Sequence, residues 1–149
     1  MGDVPFKSMT ARAFCNATEL DERVLEALRN VVGDAEVSVE ETEGHSGNRL
    51  LILTADIRRR HVRVMFDRML AIVPQLIEES DDRLDEENSF HIRLDKQAAF
   101  TGEMRLARRG DVISISGKVE SYPRNREVAL TSFRSFLDEV QSSTGSTTG

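Results

Sequence analysis

Four groups of side chains have the types and spacing to do chemistry. The densest is Arg58, Arg59, Arg60, His61 and Arg63. Arginine presents planar, forked donors that suit phosphate. The run is expected at the start of the longest helix, where free backbone amides also attract phosphate. Cations at that end oppose the helix dipole, at a cost of ~0.3–1 kcal/mol each at low salt. A solvated charged face explains the run as well as phosphate binding does. The second group is Arg93, Lys96 and Gln97 with His91 nearby. A strand end carrying these residues can reach phosphate or ribose. The alternative is a tight connection between strands, held by Asp95. The third is the polar stretch 43–48, where Gly44 and Gly47 can turn amides towards an anion and His45 and Asn48 add polar groups. It lacks the lysine-bearing pattern of a nucleotide P-loop. The fourth is Lys118, Glu120, Tyr122, Pro123, Arg124 and Arg126. Tyr122 can stack on a base or close the edge of the core, and the second role is the expected one. Arg124 and Arg126 either extend a basic surface or solvate the next helix.

Catalytic signatures are missing from this set. His45, His61 and His91 are scattered, and no nucleophile elbow, metal-binding helix or nucleotide fingerprint is present. Glu40, Glu41, Glu43 and His45 match no standard zinc or calcium spacing. The expectation is therefore no enzyme, no metal and no cofactor. One hydrolytic arrangement stays open, a carboxylate set of Glu40, Glu43 and Asp95 around a divalent ion. Cys15 is the only cysteine. It excludes an internal disulfide, fits a reducing compartment, and reads as a small buried strand residue rather than a nucleophile. No apolar run approaches the ~20 residues needed to cross a bilayer. The first residues lack the pattern of a signal peptide, so the expected location is the cytoplasm. The net charge of −6 argues against a uniformly basic coat, though not against a local basic patch.

The elements that must position these groups follow from periodicity. Residues 9–17 predict a strand with Met9, Ala11, Ala13 and Cys15 on one face, while Phe14 breaks the alternation and leaves the buried face open. Thr18 is expected to cap a helix whose stripe is Val24, Leu25, Leu28, Val31 and Val32, stopped by Gly33. Residues 36–41, with Val37 and Val39 inward, and 49–55 predict a hairpin. Asp56 is the expected cap of the long helix, which carries Val62, Met65, Phe66, Met69, Leu70, Val73, Leu76 and Ile77. Pro74 within it predicts a kink or two abutting helices. The acidic stretch 78–87 reads as a helix end and solvated loop. Residues 89–95 alternate, with Phe90, Ile92 and Leu94 inward. Residues 98–106 predict a strand bent at Gly102, and 112–121 the last strand. Pro123 opens the final helix or its approach, whose apolar face is Ala129, Leu130, Phe133, Phe136, Leu137 and Val140. The fold class is α+β, in the order βαββα(α)βββα. A largely antiparallel sheet is covered by helices on one face in two layers. Residues 1–141 form one domain, and 142–149 are expected to be a disordered tail.

Three stretches carry a resemblance. They are Glu41-Thr42-Glu43-Gly44-His45-Ser46-Gly47-Asn48, Arg93-Leu94-Asp95-Lys96-Gln97-Ala98-Ala99 and Lys118-Val119-Glu120-Ser121-Tyr122-Pro123. In this order and at these separations the chain resembles a family of archaeal RNA-binding proteins and predicted exosome subunits. It departs at Asn16, where a histidine is expected, and at Ser46, where an aromatic residue is commoner. The resemblance implies a fold similar to the large-subunit ribosomal protein that carries 5S RNA. It also implies RNA as partner and an accessory role in RNA processing or degradation, with the exosome as a further partner. The expected contacts are Arg58, Arg59, Arg60, Arg63, Arg93, Lys96, Gln97, His45, Asn48 and Lys118, acting on the RNA backbone rather than by aromatic stacking. The alternative is a protein-interaction adaptor that uses the acidic stretch 78–87.

Overall fold

The structure is a computed structural model that describes residues 4–44 and 47–147, the last four of these by their backbone alone. Strand β1 (Ser8–Asn16) alternates strictly, with Met9, Ala11, Ala13 and Cys15 buried and Thr10, Arg12, Phe14 and Asn16 exposed. Phe14 therefore obeys the alternation, on the outer side. Helix α1 (Asp21–Val32) buries Val24, Ala27, Leu28, Val31 and Val32, while Leu25 stays exposed. It starts after Leu20 with no side-chain cap, so Thr18 does not cap it; Asp21 and Glu22 supply the favourable charge there instead. Gly33, at φ 66°, ends it, its backbone N–H donating a hydrogen bond to the Arg29 carbonyl at 2.8 Å.

Strands β2 (Glu36–Glu43) and β3 (Arg49–Arg58) form the hairpin. Strand β3 runs three residues further than its pattern predicts. Asp56 consequently pairs within the sheet instead of capping a helix. Helix α2 (Arg59–Arg68) follows without a side-chain cap and with no acid in its first turn. The polypeptide then turns into α3 (Val73–Glu78), with Pro74 in its first turn where a missing amide hydrogen costs nothing. Helix α4 (Ser80–Arg83) lies within the acidic stretch.

Strand β4 (Ser89–Asp95) buries Phe90, Ile92 and Leu94. The predicted strand 98–106 is instead helix α5 (Lys96–Phe100) and a turn. Asp95 accepts from the Ala98 amide at 2.9 Å and caps α5. Only around Leu106 does the segment pair with β4, through a bridge to Leu94. Strand β5 (Val112–Lys118) follows, and α6 (Arg126–Thr147) closes the fold. Asn125 caps α6, accepting from the Val128 amide at 2.8 Å, and Pro123 lies in the approach to it. The backbone of α6 extends through the serine and threonine residues up to 147.

The five strands form one antiparallel sheet in the order β2-β3-β1-β5-β4. Helices α1 and α2 pack on the inner faces of β1 and β3, and α6 packs on α2 and α3. The core between them holds Phe6, Phe66, Phe90, Phe133 and Phe136, with ring centroids 4.9–6.2 Å apart. Phe6, just before β1, is fully buried and touches the other four rings. On β5 a Cβ at Gly117 would meet Met9 Cγ at 2.6 Å, so the β1 side chain occupies the space a larger residue would need. Val39, on the outermost strand β2, is 58% exposed. Among the described residues no helix is long and apolar enough to cross a membrane.

Candidate nucleic-acid interface

With the helices on one side, the other side of the sheet faces solvent. Its side chains fall in rows set by the register. Arg12 of β1, Ser114 of β5 and Arg93 of β4 stand side by side. The next row is Thr10, Ser116 and His91. One row further, Lys118 of β5 stands beside Ser89 of β4. Adjacent strands lie about 4.8 Å apart, so Arg12 and Arg93 are about 10 Å apart at their backbones. Two hollows lie over this half of the face. One, of about 710 Å³, is lined by Arg93, Ser114, Arg83 and Arg108, among others. The other, of about 550 Å³, is lined by Lys7, Lys118, Tyr122 and Arg124, among others. Both include His91 and Ser116, so they form one groove along β4 and β5.

The charges on this face of the sheet are largely unspent. Lys7, Arg12, Arg108, Lys118 and Arg124 are exposed and have no ion-pair partner among the described residues. Among the described residues Arg93 donates only to the Arg108 carbonyl, at 2.8 Å. His91 Nε2 lies 2.8 Å from Asp85 Oδ2. The Ser89 amide and His91 hold the Asp85 carboxyl below the usual carboxylate range. Tyr122 is 83% exposed beside the groove. The expected packing of Tyr122 against the core edge is thus corrected: Val119 and Ser121 turn inward and leave the ring outside.

The arginines of 58–63 have a different fate. Arg58 pairs with Asp56 at 3.1 Å. Arg59 pairs with Glu120 at 2.7 Å and donates to the Val4 carbonyl at 2.8 Å, tying the N-terminal segment to the approach of α6. Arg63 pairs with Asp67 at 3.1 Å and lies 4.0 Å from Glu139. Arg60 alone in this run has no ion-pair partner among the described residues, and it belongs to a helix on the covered side. These residues do not form one anion site.

Lys96 is a second correction. It is 2% exposed, and its ammonium meets the Phe14 carbonyl at 2.7 Å, Glu19 at 2.8 Å and Asp111 at 2.7 Å. All three of its hydrogens can be satisfied internally, leaving none for a ligand. Gln97 spends its amide on Asp111 at 2.9 Å. The Asp95-Lys96-Gln97 stretch is therefore a clamp between the end of β1, the approach to α1 and the turn before β5. Asn16 joins it through Glu19, with backbone and side-chain bonds of 3.0 and 3.2 Å. Asn48 lies past the Asn16 end of the sheet, away from Lys118, and its carbonyl accepts from the Gly44 amide at 2.8 Å. His45 lies outside the described residues. Of the ten predicted contacts, Arg93 and Lys118 meet in the groove. Arg58 shares their face at a distance and is already paired.

Sequence reasoning left Lys7 and Arg12 out of the site. Arg12 carries a usable signal, since it stands in opposite phase to Ala11 and Ala13. Lys7 precedes β1 and carries none. The carboxylate set Glu40, Glu43 and Asp95 does not converge either. The first two are on β2 and the third ends β4, at opposite edges of the sheet. Four strand spacings separate those edges, about 19 Å. Cys15 is buried, and that burial, with a hydrogen bond and negative charge from Asp21, pushes its thiol above the usual range. It holds its proton at neutral pH, unlike a poised nucleophile.

Fold and site together define a two-layer α+β protein with one sheet face left open as a cationic groove. The chain belongs to the RNA-binding family, whose model, described as RNA binding, matches residues 8–119. It is 32% identical to RNA-binding protein PAB1135 of Pyrococcus abyssi, over 92% of this chain and 97% of that protein. Among solved structures it is similar to Mth689 of Methanothermobacter thermautotrophicus, with 36% identity and a TM-score of 0.78, covering 89% of this chain and 98% of that one. It is also similar to AF2318 of Archaeoglobus fulgidus, with 28% identity and a TM-score of 0.74, covering 88% and 99%.

Proposed function

We propose that this protein binds RNA without catalysing its cleavage, through the open face of the sheet. The observation that carries this reading is the convergence of Lys7, Arg12, Arg93, Lys118 and Arg124 on that face, with no carboxylate paired to them among the described residues. Membership of the RNA-binding family and the name of the Pyrococcus relative support it. Arginine and lysine would neutralise phosphates, and the rows of serine and threonine hydroxyls would meet ribose 2′-hydroxyls. Affinity should then fall with salt, by about 0.7 in the log–log slope per phosphate contact on a single strand. Fluorescence anisotropy with structured and unstructured RNAs at several salt concentrations tests this. Absence of binding to any RNA at low salt overturns it. We place the activity in RNA processing or degradation, in an accessory role beside the exosome. Co-purification with exosome subunits that survives nuclease treatment is the expected result.

A second reading, a protein-interaction adaptor, has one observation in its favour. Strand β2, with no strand on its outer side among the described residues, carries Glu36, Glu40, Glu41 and Glu43 and is a template for a basic strand from a partner. The acidic stretch 78–87 offers less, since Glu79, Asp81 and Asp85 are engaged by Arg83, Arg126 and His91.

A further inference from the structure

The groove over β4 and β5 says which form of RNA it fits. Its cations span the rows from Arg93 to Lys118, four residues along the strands, or about 13 Å. Domains that read double-stranded RNA span about 16 base pairs and two successive minor grooves. That is far more than this patch offers. The borders of the groove also carry carboxylates. Asp82 lines its first hollow and Glu87 its second, and neither has an ion-pair partner among the described residues. They leave one cationic path along the floor and would repel a second strand of phosphates. Each hollow is of the size that houses a ligand no bulkier than a few ring systems, roughly 300–1,000 Å³.

Tyr122 adds the decisive chemistry. An aromatic ring 83% exposed beside Lys118 and Arg124 loses apolar contact with no compensation inside the fold. Aromatic platforms of this kind hold unpaired bases, which duplexes keep in their own stack. Lys7, Lys118 and Arg124 around the same hollow can hold the phosphates on either side of that base.

We propose that single-stranded RNA, about four nucleotides of it, lies along β4 and β5 with one base stacked on Tyr122. Four nucleotides is about the low end of what single-strand grooves hold. The inference rests on the RNA-binding reading above and narrows it to the unpaired form.

The test uses the full chain with labelled single-stranded RNAs of two to eight nucleotides and a duplex of matching sequence, by anisotropy at low salt. Affinity should rise steeply up to about four nucleotides and then level off, and the single strand should outcompete the duplex at least tenfold. Tyr122→Ala should lose about tenfold in affinity with an unchanged salt slope, because stacking releases no counterions. Tyr122→Phe should retain wild-type binding. The ring is exposed, so neither variant threatens the fold, and thermal melts confirm that. Duplex bound as tightly as single strand, or a silent Tyr122→Ala, overturns the inference and leaves RNA binding standing. Binding to no RNA at all overturns both.

Discussion

Two cationic regions of this protein differ both in how the sequence assembles them and in what their charge is used for. In 58–63 the cations are neighbours along the chain, yet three of the four arginines are spent on Asp56, Glu120 and Asp67. Over β4 and β5 the cations come from positions 7, 12, 93, 108, 118 and 124, and strand pairing brings them together with little local neutralisation. Density along the chain is thus a poor guide to electrostatic potential. What counts is whether carboxylates stand within reach, and with more acids than bases in the chain the usual outcome is pairing.

The sharpest way to break this comparison is to neutralise each region in turn. Arg12→Ala/Arg93→Ala/Lys118→Ala should weaken RNA binding about 100-fold at 0.1 M salt and lower the salt slope by about two, as expected for three lost phosphate contacts. An unchanged slope would show that the groove is not the site.

Lys96 sharpens the contrast between motif and function. Lys96→Met strips the clamp of its cation and leaves Glu19 and Asp111 facing each other. Breaking a buried pair in this way costs ~3–5 kcal/mol, and access of water to both acids favours the lower end. Urea denaturation should register that loss, while the affinity of the folded protein for RNA stays within about twofold.

The reciprocal control is Arg58→Gln/Arg60→Gln/Arg63→Gln. Exposed pairs contribute ~0–1 kcal/mol each, so stability should drop by no more than a few kcal/mol. RNA affinity should change less than about threefold. A larger loss would return 58–63 to the site.

The smallest effect concerns Asp85, which fastens the loop before β4 at the rim of the groove. Its carboxyl lies below the usual range in the folded state, chiefly through the Ser89 amide and then His91. Its contribution is therefore complete above the unfolded value of about 4 and fades as pH falls through the folded value. Asp85→Asn should be slightly less stable than wild type at pH 6, with the gap closing below about pH 4 in parallel acid melts.

Much of the fold can be read from local pattern. The pattern in 9–17 and 89–95 gives both strands, and for 89–95 the buried face as well, while Gly33 marks the end of α1. Two elements escape such reading. The run Lys-Gln-Ala-Ala-Phe is one helical turn, too short for a period to show, and only Asp95 three residues before Ala98 betrays its cap. Phe6 stands outside every periodic segment, yet it meets four other phenylalanine rings. The site is less legible than the fold. Lys96 looks like a contact because motif residues invite that reading, and its burial depends on Glu19 and Asp111, remote in the chain. Tyr122 looks like a core residue because a lone aromatic before a proline offers no phase.

The sequence by itself determined the α+β class, most strands and helices, and a sheet with one polar face, because period and composition act over a few residues at a time. It also held the motifs that resemble an RNA-binding family. Only the tertiary structure decided the strand order β2-β3-β1-β5-β4, and with it which cations share a surface. That order sets β1, β5 and β4 side by side, so Arg12, Arg93 and Lys118 meet on a face that no helix covers. Long-range pairing decides which charges are neutralised, and no local pattern records it.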